Sequence, residues 1–71
     1  MSRPQFLRQL GAALVDRVRR NERHEDVLAD LTPPVPTGVD LYFVRRGARD
    51  ALGRGRPQLE ARVFRLLNSV E

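Results

Sequence analysis

Apolar residues in this chain recur in four stretches, each with helical spacing. In the first, Leu7, Leu10, Leu14 and Val18 stand at i, i+3, i+7 and i+11, one stripe of a helix over residues 3–20. Phe6 and Ala13 widen that stripe, and Arg8, Arg19 and Arg23 fall opposite it. Ser2, with Gln5 three positions on and Pro4 in the first turn, reads as a capping box. A second helix is predicted over residues 22–31, capped by Asn21, with Glu22, Glu25 and Asp26 in its first turns, where acids suit the helix dipole. Its apolar side is Val27, Leu28 and Leu31, a face that His24 shares. The competing reading is one continuous helix over 3–31.

Thr32-Pro33-Pro34-Val35-Pro36 stops that pattern, because proline lacks the amide proton a helix needs and stiffens an extended chain. Residues 32–37 are therefore a proline-rich connector. Thr37 to Asp40 offers another capping box. The stretch from Val39 to Val44 has β-favouring side chains, and as a strand it would have only its own copy in a dimer to pair with. Periodicity decides otherwise. Leu41, Val44, Ala48, Ala51 and Leu52 keep helical spacing across residues 38–52, with Gly47 as the weak point of that helix. Gly53-Arg54-Gly55 breaks it, and Pro57 opens a last helix over 57–70. There Leu59, Val63, Leu66 and Val70 form the stripe, broadened by Phe64 and Leu67.

The pattern predicts an all-α fold: one domain spanning residues 1–71, a small bundle of three to four short helices, open to completion by homodimerisation. Size is the reason to consider a dimer. At 71 residues a single core is near the lower limit of independent stability. Cysteine is absent and His24 is the one histidine, so disulfides and ordinary metal staples are not on offer. The broad face of the last helix (Leu59, Val63, Phe64, Leu66, Leu67 and Val70) is then the expected apolar contact for a protein partner or a second copy. No apolar run approaches the roughly 18 residues of a membrane span, and the amino-terminal segment lacks the uninterrupted apolar stretch of a secretory signal. The expected compartment is cytoplasmic.

Charge changes the picture modestly. The formal net charge is +4, and all thirteen basic residues are arginine, with lysine and isoleucine both missing. Such usage points to a GC-rich coding background, so part of the arginine signal is codon bias. Its distribution is still uneven. Residues 1–20 carry +4, residues 21–32 carry −3, residues 33–56 return to +3 and the remainder is neutral. Arg45, Arg46, Arg49, Arg54 and Arg56 concentrate the middle excess, a cluster suited to phosphates or to an acidic protein surface.

Catalytic arrangements each lack a member. His24 has no second histidine at i+4 for a helical metal site and reads as a packing residue. Ser2 is better used as a cap, and Ser69 lies near a helix end, away from any base. Gly53–Pro57 contains no phosphate-cradling P-loop pattern. Arg54-Gly55-Arg56-Pro57 resembles the core tetrapeptide of the AT-hook, four residues of 71, and that resemblance implies minor-groove binding to A·T-rich DNA. Its setting, between an apolar helix end and a strongly apolar helix with Glu60 close behind, favours a capping loop. The sequence thus predicts a non-enzymatic protein–protein interaction or regulatory module without metal or cofactor. A nucleic-acid-binding module led by the arginine cluster is the alternative.

Overall fold

Four α-helices form in the computed structural model, which describes residues 2–31 and 38–70. They are α1 (Arg3–Arg19), α2 (His24–Leu31), α3 (Val39–Leu52) and α4 (Pro57–Asn68), with no strand among the described residues. The stretch from Val39 to Val44 is helical, as its periodicity requires. None of the helices is long and apolar enough to cross a membrane. The proline-rich connector and Thr37 of the second capping box lie outside the described residues.

The capping box at Ser2 is present in both directions: the Gln5 amide donates to Ser2 Oγ at 3.3 Å, and the Ser2 amide donates to Gln5 Oε1 at 3.2 Å. The α1–α2 junction departs from expectation. Asn21 does not cap α2; it follows the end of α1 with φ 63°, a left-handed conformation that asparagine tolerates better than most residues. The Glu22 amide reaches back to the Arg17 carbonyl and the Asn21 amide to that of Val18, the paired bonds of a Schellman ending. Helix α2 then starts at His24, with the Arg23 carbonyl accepting from the amides of Asp26 and Val27. Asparagine suits either end of a helix, and here the end of α1 takes it, which also rules out the continuous helix over 3–31.

The centre of the fold is the crossing of α1 and α3. Gly11 and Gly47 let the two backbones touch. A methyl group built on Gly47 would sit 2.0 Å from the Arg8 carbonyl oxygen, and one on Gly11 would sit 2.0 Å from that of Val44. The predicted weak point of α3 is therefore the place where its partner helix lies closest. Leu7, Leu14, Val18, Leu41, Val44 and Ala48 fill the interface around that contact. Helix α2 adds Val27 and Leu31, and α4 adds Val63, Leu66 and Leu67 to the same core. The Cα radius of gyration is 11.0 Å, matching the roughly 11 Å expected of a compact chain of this length.

Four positions expected on apolar faces are on the surface: Phe6, Ala13, His24 and Ala51. His24 keeps the register of Val27 and Leu31 but is exposed in the first turn of α2. Ala51 is likewise exposed near the end of α3.

Ion pairs fasten the rim. Arg3 grips Asp40 through Nε at 3.0 Å and Nη2 at 2.6 Å, joining the starts of α1 and α3. That hydrogen bond lowers the Asp40 pKa below the usual carboxylate range and raises that of Arg3. A carboxylate so lowered contributes stability above its unfolded pKa, about 3.9, and loses it as pH falls through the folded value. The Asp40→Asn variant is therefore expected to melt below the wild type near neutrality and to converge with it under acid. Thermal melts between about pH 6 and pH 2 check this, and a constant gap across that range would contradict it. The exposed position of Arg3 keeps the effect small. Arg17 holds α2 in the same manner, donating to Glu22 at 2.8 Å and to Asp30 at 2.5 Å.

Candidate anion-binding site

Arg45, Arg46 and Arg49 stand on the side of α3 that turns from the core toward α4. Helix α4 runs antiparallel to α3 there, so Asn68 near its end meets Arg45, while Phe64 and Glu60 meet Arg49 one and two turns back. Together with Tyr42, five of these residues (Arg45, Arg46, Arg49, Phe64 and Asn68) line an open hollow of about 350 Å³.

Each guanidinium is held from behind. Arg45 Nη2 donates to Asn68 Oδ1 at 3.0 Å. Arg46 Nη1 donates to the Tyr42 hydroxyl at 3.2 Å, and its guanidinium lies 5.9 Å from the Tyr42 ring centroid. Arg49 sits over Phe64 at 5.1 Å, within the range of cation–π attraction. Tyr42 is steadied in turn by an edge-to-face contact with Phe43, whose ring carries Arg8 at 5.6 Å. Such supports reduce the rotamer freedom that an arginine loses when it binds an anion.

Little acid stands beside these three arginines; Arg8, Arg54, Arg56, Arg62 and Arg65 share that lack among the described residues, and what sets the three apart is that they line one hollow. In α1 and the turn after it, Arg3, Arg17, Arg19, Arg20 and Arg23 all have a carboxylate within 4 Å. Among the described residues, Arg45 and Arg46 have none, and Arg49 has only Glu60, at 3.8 Å the longest of these contacts. The Nε of Arg45 is buried and has no hydrogen-bond partner among the described residues. Asp16, by contrast, lies in a second hollow with Arg19 and Arg56, and its carboxylate pairs with Arg19 at 2.7 Å.

The five-arginine cluster expected from sequence is accordingly divided. Arg56 lines the hollow beside Asp16, and Arg54 is exposed in the loop between α3 and α4. That loop is a capping turn: Gly53 and Gly55 have φ of 67° and 77°, the Gly53 amide closes α3 on the Arg49 carbonyl, and Pro57 opens α4. Its turned backbone differs from the extended Arg-Gly-Arg that the AT-hook resemblance implied.

The expected apolar contact on α4 is mostly internal. Val63, Leu66 and Leu67 are buried in the chain's own core, and Leu59, Phe64 and Val70 pack half-buried against it. Arg62, on the other side of α4, donates to the Val18 carbonyl at 3.1 Å and to Asn21 Oδ1 at 2.9 Å. It places a cation at the carbonyl end of α1, where the helix dipole favours one. The pairing of Tyr42 with Arg46 is an i, i+4 contact that sequence spacing could have suggested. The roles of Asn68, Phe64 and Arg62 depend on how α4 docks, which spacing does not encode. No group of three His, Asp or Glu side chains among the described residues is placed to hold a metal ion.

The chain matches no known family model, and neither curated proteins nor solved structures give a significant match.

Proposed function

We propose that this chain is a non-enzymatic binding domain that recognises an acidic segment of a protein partner through Arg45, Arg46 and Arg49. One arrangement carries the reading: Arg45, Arg46 and Arg49 line one hollow, oriented by amide and aromatic neighbours with only Glu60 near Arg49, whereas Arg3, Arg17 and Arg19 of α1 are already paired. Organised cations without counter-charges favour an anionic partner. Arginine beside tyrosine is also a frequent composition of interaction hot spots. The buried positions of Val63, Leu66 and Leu67 favour this surface over the apolar face of α4.

The hollow suits a compact acidic group better than a duplex. Nucleic-acid backbones are read by cations strung along a stripe, and Arg54 and Arg56 do not continue the line of Arg45, Arg46 and Arg49. A fluorescent deca-glutamate peptide and a short duplex DNA, titrated in parallel at several salt concentrations, test the choice. The peptide should bind more tightly at physiological salt. Tighter binding to the duplex, with a steep salt slope, would transfer the reading to nucleic acid.

A further inference from the structure

We infer that the group seated in the hollow is a phosphate monoester on a side chain of the acidic partner, an inference that rests on the reading above. The first argument is charge. Three guanidiniums line one hollow, and among the described residues the only carboxylate within 4 Å of them is Glu60, at 3.8 Å from Arg49. A carboxylate brings one negative charge and two oxygens, which a single guanidinium can satisfy in a bidentate pair. A phosphate monoester brings a charge of about −1.5 to −2 and three acceptor oxygens near neutral pH, a closer match to three arginines.

The second argument is hydrogen bonding. Asn68 and the Tyr42 hydroxyl each take one donor, and the Arg45 Nε–H remains buried without an acceptor. A buried donor without a partner is costly, and a shift of the Arg45 side chain on binding would let a ligand oxygen satisfy it. The third argument is the contrast with the hollow beside Arg19 and Arg56, where the Asp16 carboxylate already supplies the anion. The hollow of Tyr42 and Phe64 has space of about 350 Å³ and no carboxylate in its lining. A phosphodiester carries a single charge per group and comes in a chain, which this isolated site does not extend to follow.

The test uses the full chain and a capped penta-glutamate peptide whose central residue is either phosphoserine or glutamate. Free phosphoserine and a single-stranded oligonucleotide serve as alternative phosphate sources. The phosphoserine peptide should bind about tenfold or more tightly than the all-glutamate one near pH 7.5, with the advantage shrinking near pH 5 as the phosphate gains a proton. Among the described residues, Glu60 is the one carboxylate within 4 Å of these arginines, and Tyr42 and the three arginines are the titratable groups that line the hollow. None of these residue types ordinarily titrates between those two pH values, so that dependence belongs to the ligand. The Arg45→Gln and Arg46→Gln variants, each checked for helicity, should each reduce the phosphoserine advantage; Arg46 is exposed, so its removal leaves the core untouched.

Equal binding of the two peptides overturns the inference and leaves the acidic-partner reading standing. Binding of neither peptide overturns both. Free phosphoserine matching the peptide, or the oligonucleotide exceeding it, overturns the assignment to a protein side chain.

Discussion

Leucine in place of Gly47 is expected to unfold the domain, with loss of the far-UV helical signal and of the thermal transition. The reason is steric and lies in the partner helix. A Cβ at Gly47 would come within 2.0 Å of the Arg8 carbonyl oxygen and 2.7 Å of the Arg8 Cα, all backbone atoms that no rotamer change can move aside. Helices α1 and α3 must then part, and the packing of Leu7, Leu14, Leu41 and Val44 opens with them. Alanine is the milder version. It gains about 1 kcal/mol of helix propensity over glycine but meets an overpacking cost of roughly 1–3 kcal/mol or more. With backbone as the obstacle, the net effect is destabilising, and Gly11→Ala should behave alike, since its Cβ meets the Val44 carbonyl. A wild-type melting temperature for Gly47→Leu would show that the helices do not cross as described.

The second large effect is expected from Leu66→Asp. Leu66 is 1% exposed and lies within the shared core. Truncating such a leucine to alanine costs about 2–5 kcal/mol. An aspartate adds a buried carboxyl, a further cost of several kcal/mol. A chain of this size has roughly 4–11 kcal/mol of total stability at the usual value per residue. The variant should therefore be unfolded in water, by helical signal and by amide dispersion in NMR. Retention of full helicity would remove Leu66 from the core.

These two positions show what the sequence made legible. Leu66 belongs to a stripe with Leu59, Val63 and Val70, and helical spacing alone placed it on a buried face. Spacing did not say which body would cover that face, expected to serve both the chain's own helices and a partner; the chain's own core takes Val63, Leu66 and Leu67. Gly47 was read by helix propensity, which treats each helix in isolation, and so looked like a weakness. Only the approach of Arg8 from another helix turns its missing side chain into a requirement. Asn21 was ambiguous for a local reason, since the same side chain suits the start of one helix and the left-handed end of another.

The candidate site was legible in part. Charge counting found the arginine excess at residues 45–56, and helical phase put Arg45, Arg46 and Arg49 on one side. It could not separate Arg54 and Arg56 from them, because the direction of a loop is fixed by the glycine turns and the docking of α4. Nor could it reveal which arginines already have acids beside them. That pairing is three-dimensional: Asp40 answers Arg3 across 37 positions, while Arg45 and Arg46 have no carboxylate within 4 Å among the described residues. The distinction between three little-paired arginines that line one hollow and the ion-paired arginines around Asp16 is what turns an ordinary basic composition into a candidate site.

That distinction is open to one direct measurement. Arg46→Glu combined with Arg49→Glu alters two exposed residues and should leave helicity and melting temperature near those of the wild type. Reversal at two hot-spot arginines should weaken binding of the fluorescent deca-glutamate peptide by roughly a hundredfold or more. The matched reversal of Arg19 and Arg20, both already paired with Asp16, should weaken it only modestly. Equal loss of affinity in the two double variants would mean that the peptide reads net charge alone, and would contradict the assignment of the hollow as the binding site.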